Sequence, residues 1–470
     1  MGYTPCMRAR WYLYILLAVT FATFAWTITF PFVFDDLLQI VQNPHVQSWK
    51  FLPTYFTDHV WSQDPEIPHL YYRPLFLLQL RILHAIFGLW TPGWHFALVL
   101  CHLAAAASVY WLVRQWKSAQ TALIAAALFA LHPVHAEVVS WLAAIAEPCM
   151  TAALIGSLIL ARRKGKQNLA AALALYMVAL LLKEPAIVWP VVLFIALYDG
   201  FISTLRRTLP YWAVTLLYLL IRIQVLGGVI VADRTRVALD WALLPTALSH
   251  YFFHLVWPIG LSIFSFLDAS WGYLLIAVPL LIMLYWIARR GQYEKVAVLI
   301  LMVPLLPALN PATMRAEYLI QDRYLYLPSV GFVMLAALLV GRMPKPAIAV
   351  LLLAMIAGCI HEERTWSDNE HMYAKGLELS PTNQTARDGL GRAYARDGNY
   401  QRAIEILEPL VHEPQPSARR LQQTLMTLAF SYEHIGNYAA AYDYYSQADN
   451  LYPRADIEQY LVELQNAINR

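Results

Sequence analysis

The sequence predicts an all-α protein that crosses a membrane many times and ends in a soluble helical domain. Hydrophobic residues make up 59% of the 470 residues, charged residues make up 14%, and the mean hydropathy is +0.47. The apolar residues come in long runs, beginning with Trp11 to Phe32, and such runs can cross a bilayer as helices. Beyond about His361 the apolar runs end and charges become frequent. We therefore expect a membrane domain over 1–362 and a soluble domain over 363–470.

The sequence argues against nucleic-acid binding and against a cleaved signal peptide. The net charge of +3 is small, and no basic stripe or recognised motif indicates nucleic-acid binding. The first apolar run is too long for a signal-peptide core and lacks a small-residue cleavage site, so we interpret it as a retained anchor.

The four cysteines are scattered without metal-site spacing, and we expect them to be free thiols: Cys6, Cys101, Cys149 and Cys359.

Clusters of Lys and Arg set the expected topology. Arg8 and Arg10 precede the first run, and the positive-inside rule places them and the later clusters in the cytoplasm. About eleven spans satisfy that rule: 11–32, 94–114, 119–133, 138–161, 167–182, 186–200, 209–226, 272–289, 294–309, 326–341 and 346–361.

Two apolar stretches do not fit as crossings, because counting either one would place basic clusters outside. We assign 72–89 and 241–258 to juxtamembrane or re-entrant helices on the outer surface. An odd number of spans then puts the C-terminal domain outside. The short basic loops favour a bacterial inner membrane with that domain in the periplasm, and an endoplasmic reticulum membrane is the alternative.

The C-terminal domain contains an internal repeat. Gly398-Asn399-Tyr400 recurs as Gly436-Asn437-Tyr438, with small and aromatic residues at matching positions on both sides. This is the tetratricopeptide pattern, at an offset of about 38 residues instead of the usual value of about 34. An earlier partial unit covers Trp366 to Pro381. Such repeats form α-solenoids that commonly bind peptide segments or partner proteins.

Polar motifs gather on the predicted outer face. The pair Asp35-Asp36 follows the first span, where ionisable groups cost energy unless they are used. The alternative is a solvated loop that caps a helix. Together, acids, histidines and cations on one face of a membrane protein predict an active site there. The remaining members are Arg73, His132, His135, Glu137, Glu147, Lys183, Glu184, Arg315, Arg323 and Tyr324.

Several of these residues allow two interpretations. His132, His135 and Glu137 could bind a metal ion, although His-Pro at a helix end is more often a packing element. Lys183 could pair locally with Glu184, or it could meet an anionic phosphate. The segment that begins at Arg323-Tyr324 could be an interfacial anchor, or the arginine could capture phosphate.

The ordered motifs resemble one known family. FVFDDLLQIVQNPHV, YRPL, HPVHAEVVSW, LKEPAIVWP and DRYLYLPSVGF precede a tetratricopeptide segment. This order is similar to that of the protein O-mannosyltransferase-like, transmembrane and tetratricopeptide repeat-containing branch of the GT-C glycosyltransferases. The resemblance covers nearly the whole chain and implies a bacterial-type member with a GT-C fold.

The resemblance implies an inverting transfer of a sugar from a polyprenyl-phosphate carrier to an outer-face acceptor. The general base would be an acid of the first outer loop, here Asp36 with support from Asp35, although the sequence does not separate the two. Cations would stabilise the departing phosphate. A divalent cation is left open, and the repeats would engage a protein or polymer acceptor. The candidates for donor and phosphate binding are Lys183, Arg323, Tyr324, Arg315 and Arg73.

The chain departs from the family pattern in two places. Many relatives carry an arginine shortly before the acid that Glu147 matches, whereas this chain reads Ala144-Ile145-Ala146 there. That puts in doubt a carrier-phosphate role for this helix. The repeat array is also shorter than in the animal members. Two other functions remain as alternatives, a non-catalytic scaffold that recruits envelope partners and a lipid or polysaccharide transporter.

Overall fold

In a computed structural model of the chain, every regular element among the described residues is a helix. The structure describes residues 5–63, 71–228, 240–264, 268–309, 320–414, 418–453 and 455–468. Contacts between residues divide the chain into two compact units. One unit contains the described residues up to Leu261, together with 268–309 and 320–367. The other contains 262–264 and the described residues from Asp368 onward.

All of the candidate membrane-spanning helices found in the described residues lie in the first unit. In a bilayer a helix satisfies its own backbone hydrogen bonds, which is why long apolar runs fold this way. Its α-helices are Pro5–Phe24, Pro44–Gln47, Thr54–Thr57, Pro74–Phe87, Thr91–Val113, Ala119–Ala130, Ala136–Ser140, Ala146–Ala161, Lys166–Leu182, Trp189–Ala196, Phe201–Leu226, Leu243–Val256, Leu274–Ala288, Gln292–Met302, Tyr326–Val340 and Lys345–Glu363.

Within the described ranges, seven helices are long and apolar enough to cross a membrane, and an eighth crossing forms if one bent pair counts as a single span. The protein is therefore a multi-pass membrane protein. The bent pair, Ala119–Ala130 with Pro133–Ser140, turns by 51° at Leu131-His132. The seven are Arg10–Thr29, Thr91–Val113, Leu142–Ala161, Phe201–Leu226, Trp271–Ala288, Asp322–Val340 and Lys345–Trp366.

Three of the eleven predicted spans form shorter helices. Lys166–Leu182 has 17 residues, Gln292–Met302 has 11, and the third is Glu184–Ala196. At 1.5 Å per residue, the longest of these covers about 25 Å, less than the hydrocarbon thickness of about 30 Å. Hydropathy placed the break at Lys183-Glu184 between the predicted spans 167–182 and 186–200, but it did not show that the helix of the span 294–309 would end before Val303-Pro304.

The two stretches predicted to lie on the outer surface are also helical. Pro74–Phe87 begins with a proline, whose missing N–H is harmless in the first turn. Leu243–Val256 lies within the second stretch. Neither helix reaches the length of a span, as expected for juxtamembrane elements.

The second unit consists of helical hairpins. Asn383 and Asn437 cap two of its helices by accepting backbone N–H bonds from Ala386 and Ala440. Gly398 and Gly436 turn the chain with φ values of +82° and +81°, a conformation that glycine adopts without a Cβ clash. The helices are Asn369–Leu379, Gln384–Arg396, Tyr400–Val411, Ala418–His434, Tyr438–Leu451 and Ala455–Ile468.

A short segment between the apolar helices, 262–264, groups with this second unit. Phe264 is fully buried there, and its ring lies 5.5 Å from that of Tyr373. A Cβ on Gly376 would overlap the Phe264 ring, so the glycine allows the close contact. Residues 363–367, which the sequence analysis placed in the C-terminal domain, group with the first unit.

Candidate active site

The loop after the first membrane helix has an unusual backbone at its acidic pair. Phe34 has φ +52°, and it is the one non-glycine residue with positive φ in the described part of the chain. A bulky side chain in this region costs energy, and such strain concentrates at functional sites. Directly after the pair, Leu37–Val41 forms a π-helical turn, a rare conformation that is also frequent at functional sites.

The structure distinguishes the two acids that the sequence left equivalent. Asp35 is half-buried, whereas Asp36 is fully buried. One carboxylate oxygen of Asp36 accepts a bond of 3.1 Å from the Val33 N–H, and the other accepts one of 2.8 Å from the Ala143 N–H. Burial raises the pKa of Asp36 to about 8, although these backbone donors oppose the rise.

A short segment joins the acidic loop to the predicted cations. Ala143 donates to Asp36, and the ring of neighbouring Trp141 lies 4.9 Å from the guanidinium carbon of Arg323. The Trp141 ring also stacks on that of Trp366, with the two ring centroids 5.7 Å apart. The strained loop and Arg323 are therefore held by one stretch of chain.

Arg323 and Lys183 each have a glutamate partner on another element. An Nη1–H of Arg323 donates to Glu137 at 2.6 Å, and the ammonium of Lys183 contacts Glu147. Both cations also approach the Tyr324 ring, at 5.4 Å for Arg323 and 5.6 Å for Lys183. Five of the predicted site residues therefore form one cluster.

Lys183 does not pair with its neighbour Glu184, so the local ion pair considered from the sequence does not form. Burial lowers the pKa of Lys183 and Glu147 counteracts it, while the nearby Arg73 and Arg323 lower it further. The sequence put a carrier-phosphate role for the Glu147 helix in doubt, because an expected arginine is missing there. In the structure this helix supplies the counter-ion of Lys183.

Glu184 holds two arginines at once. Arg73 donates to its Oε2 from Nε at 2.8 Å and from Nη2 at 2.7 Å, and Arg222 donates to its Oε1 at 3.3 Å. Although burial raises the pKa of Glu184, the two guanidinium groups hold it below its usual range. The centroid of the Tyr71 ring lies 4.3 Å from the Arg73 guanidinium carbon.

Arg222 is the residue that the sequence analysis missed. It lies inside the predicted span 209–226, where an arginine is costly and usually functional, so its position alone was a signal. The candidate cations were taken from the predicted outer loops, whereas Arg222 stands in an apolar helix.

The histidine motif at the bend of Ala119–Ser140 is a packing element. His132 Nε2 donates to the Leu255 carbonyl at 3.0 Å, and its Nδ1 accepts from the Val134 N–H. His135 Nε2 bonds to the Ser329 hydroxyl at 2.9 Å. Because both ring nitrogens of His132 are occupied, it cannot bind a metal ion with His135 and Glu137 as arranged. The described residues contain no group of three metal-ligating side chains.

Arg315 lies outside the described residues. Asp322, next to Arg323, bonds to His254 at 2.6 Å. This contact ties the site to helix Leu243–Val256. The arrangement as a whole offers a buried carboxylate for proton transfer and several cations for an anionic group.

Known proteins resemble this chain in sequence. It is 25% identical over 437 residues to the protein O-mannosyl-transferase F38B6.6 of Caenorhabditis elegans, covering 84% of this chain and 62% of that protein. It is 22% identical over 496 residues to the human protein O-mannosyl-transferase TMTC3, covering 90% and 53%. The chain thus spans about half to three-fifths of the length of these relatives. No family model matches it.

A solved structure also resembles the fold. ArnT from Cupriavidus metallidurans bound to undecaprenyl phosphate superposes with a TM-score of 0.40 and 14% identity, covering 92% of this chain and 79% of that one.

Proposed function

We propose that this chain, which belongs to the protein O-mannosyl-transferase-like family, is a membrane glycosyltransferase of the GT-C type. It transfers a hexose such as mannose from a polyprenyl-phosphate carrier to a hydroxyl group of a protein. The observation that carries the proposal is the segment Trp141–Ala143, which joins a buried carboxylate to a cluster of buried cations. A general base and a phosphate-binding group are the two parts that this reaction needs.

The proposed reaction is a single displacement. The acceptor oxygen forms a bond to the anomeric carbon as the bond from that carbon to the carrier phosphate breaks. The carboxylate takes the hydroxyl proton, and the phosphate leaves with the bonding electron pair. Because attack and departure occur on opposite sides of the carbon, the configuration inverts. Lys183 and Arg323 stabilise the negative charge that grows on the leaving phosphate.

Asp36 is the proposed base, and Asp35 supports it. A base works best when its pKa lies near the working pH, and burial places Asp36 in that range. Backbone N–H groups of Val33, Ala143 and Leu142 interact with the Asp36 carboxylate, whose two oxygens have about four lone-pair sites, so one site remains for the acceptor. Since Asp36 is buried in the free protein, the acceptor must displace part of the first loop as it binds, and strained Phe34 favours such a change.

The site faces the outer side of the membrane in this proposal, in the bacterial periplasm. The carrier enters from the lipid, and the tetratricopeptide unit engages the acceptor protein.

Transfer assays on protein in lipid nanodiscs test the assignment, with polyprenyl-phosphate-linked mannose as donor and proteins extracted from the native membrane as acceptors. We expect Asp36→Asn to lower transfer by about 100-fold or more, the size of a general-base contribution. Asp35→Asn is the matched control, with a smaller loss. Equal transfer by Asp36→Asn and the unmodified protein would refute the base, and the opposite order of losses would assign the base to Asp35.

A further inference from the structure

We propose that Ser140, Trp141 and Glu363 form a binding site for hydroxyl groups of the transferred sugar. This inference rests on the proposed function and adds the part of the site that holds the sugar. The three side chains, here called the unpartnered cluster, were not among the candidates selected from the sequence.

The unpartnered cluster carries buried polar atoms that no protein group satisfies. The Ser140 hydroxyl, the Trp141 Nε1–H and both carboxylate oxygens of Glu363 have no hydrogen-bond partner in the described part of the chain. Ser140 and Glu363 are fully buried, and Trp141 is 4% exposed. A buried polar atom without a partner costs free energy, so most such atoms in native proteins are satisfied. Several of them together are expected where a ligand supplies the missing partners.

Two packing contacts place Glu363 opposite the other members of the cluster. Cys359, Glu363 and Trp366 follow one another at intervals of four and three residues, so they share one face of the helical segment that carries them. Cys359 packs against Val139, and the Trp366 ring stacks on that of Trp141. Glu363 lies between these two contacts and therefore faces the segment that joins Val139 to Trp141.

The unpartnered cluster lies beside both chemical partners of the proposed transfer. The centroid of the Trp141 ring is 5.7 Å from that of Phe34, the residue before the acidic pair, and 4.9 Å from the Arg323 guanidinium carbon. In a single displacement the sugar lies between the base and the cations that hold the leaving phosphate. Because Trp141 contacts the loop of the base and one of those cations, the sugar has to lie next to it.

The chemistry of the cluster matches that of a sugar. An indole N–H can only donate a hydrogen bond, a carboxylate accepts several, and a hydroxyl does both. A phosphate would be repelled by Glu363, and a lipid tail would leave all of these atoms unsatisfied. Sugar hydroxyls donate and accept, so neighbouring hydroxyls of one ring can satisfy the donor and the acceptors together.

The sugar reaches this site by the loop movement that also uncovers the proposed base. The polar atoms of the cluster are closed to solvent in the free protein, and the ring of Phe34, with its strained backbone, lies against Trp141. Displacement of Phe34 as the substrates bind uncovers Trp141 together with neighbouring Asp36. One movement therefore opens the sugar site and the base.

Substitutions that remove the unpartnered atoms separate a ligand site from a packing element. Glu363→Leu and Trp141→Phe keep most of the side-chain volume, and replacing polar atoms that have no partner should not destabilise the fold. We expect the unfolding temperature in detergent to stay the same or to rise. Transfer from polyprenyl-phosphate-linked mannose in lipid nanodiscs should fall in kcat/KM by about 10- to 100-fold for Glu363→Leu and by about 3- to 10-fold for Trp141→Phe.

Deoxy donors test the hydrogen bonds themselves. The probes are carrier-linked mannose donors that each lack a different hydroxyl group. With the donor that lacks the hydroxyl bound by Glu363, the unmodified protein is itself slow, because the buried acid is again without a partner. Glu363→Leu should then add less than about a threefold loss, whereas its full loss remains with the other donors.

Two further variants complete the experiment. Trp189→Phe removes another buried indole N–H without a partner, and that side chain forms no hydrogen bond or ring contact among the described residues. It should leave transfer from every donor unchanged. Ser140→Ala is the smallest change in the cluster, and we expect it to lower transfer by about 3- to 10-fold at an unchanged unfolding temperature.

The outcomes are distinct. Losses of transfer that disappear with one deoxy donor, at unchanged stability, support the site. If the three cluster variants transfer mannose as fast as the unmodified protein, the inference is wrong and the proposed function stands. Equal losses with every donor, or a large fall in the unfolding temperature of all three, also overturn it, because the side chains then act through packing. If the unmodified protein transfers from no carrier-linked donor, the proposed function fails and the inference fails with it.

Discussion

At the scale of single residues, the two adjacent acids of the first loop have different surroundings. Their presence and their place after the first span were predictable from the sequence. Their difference was not, because it depends on the Ala143 N–H, which lies 107 positions from Asp36. Among the described residues, the predicted cations Arg73, Lys183 and Arg323 lie near one another, but their partners Glu137, Glu147 and Glu184 come from separate elements. Spacing along the chain carries no information on such pairings.

The raised pKa of Asp36 predicts a pH dependence of transfer. A general base must be deprotonated, and burial stabilises its neutral form up to a pKa of about 8. Below that value the active carboxylate therefore becomes scarcer, by about tenfold per pH unit. We expect kcat/KM to rise with pH up to about 8 and then to level off. A profile that stays flat across this pH would contradict the assignment, and Asp35→Asn should keep the rise.

Burial of the Lys183–Glu147 pair predicts a large effect on stability. Glu147→Gln leaves the Lys183 ammonium buried without its carboxylate, which should cost about 3–5 kcal/mol. Thermal unfolding in detergent measures the change. The control is Glu378→Gln, which breaks an exposed pair with Lys375 and should cost about 0.5 kcal/mol or less. Similar losses of stability in both variants would show that burial does not increase the cost of breaking the Lys183–Glu147 pair.

At the scale of elements, hydropathy found the apolar helices and the break at Lys183, but it missed the early end of the helix Gln292–Met302. The chain bends by 51° at Leu131-His132, and His132 bonds there to the Leu255 carbonyl, a contact between distant parts of the sequence that hydropathy does not report. The hairpins of the second unit were easier to predict. Their turns recur as Gly-Asn in the sequence, and both glycines adopt the positive φ that the turn requires.

Close helix packing near the site gives a prediction at this scale. Gly331 of helix Tyr326–Val340 lies so near helix Gln292–Met302 that a Cβ would overlap the Ala297 carbonyl oxygen and the Leu301 nitrogen. Because backbone atoms cannot yield, Gly331→Ala should cost about 1–3 kcal/mol and displace Arg323, which lies just before that helix. Thermal unfolding and transfer activity report the two effects.

Gly156→Ala is the control for this variant. There the nearest atom is a terminal methyl of Leu175 at 3.0 Å, which can move aside. We expect this substitution to be near neutral, since alanine also favours the helix. If Gly331→Ala were equally neutral, the contact between the two helices would not be close-packed.

At the scale of the whole molecule, the sequence predicted the class of protein and the separation of a membrane part from a helical C-terminal part. Composition and charge suffice for this, because they follow the solvent that each part meets. The grouping of Phe264 with the C-terminal helices could not be predicted, since a short apolar segment there looks like any other loop between spans.

Topology is testable by labelling introduced cysteines in a background with the four native cysteines changed to alanine. Arg163→Cys lies in an exposed basic loop, and Asp397→Cys lies at an exposed turn of the second unit. A membrane-impermeant reagent added outside should label only the second. Labelling of Arg163→Cys from outside would reverse the proposed orientation, and the acidic pair would then face the cytoplasm.

The most direct test of the central claim needs no prior choice of sugar or acceptor. Membrane and exported proteins are compared by glycopeptide mass spectrometry between cells that carry the unmodified chain and cells that carry Asp36→Asn at equal abundance. The account predicts a set of hexose-bearing Ser or Thr peptides that is present in the first and lost in the second. Identical glycopeptides in both would contradict the account, because the buried acid would then serve no transfer to protein.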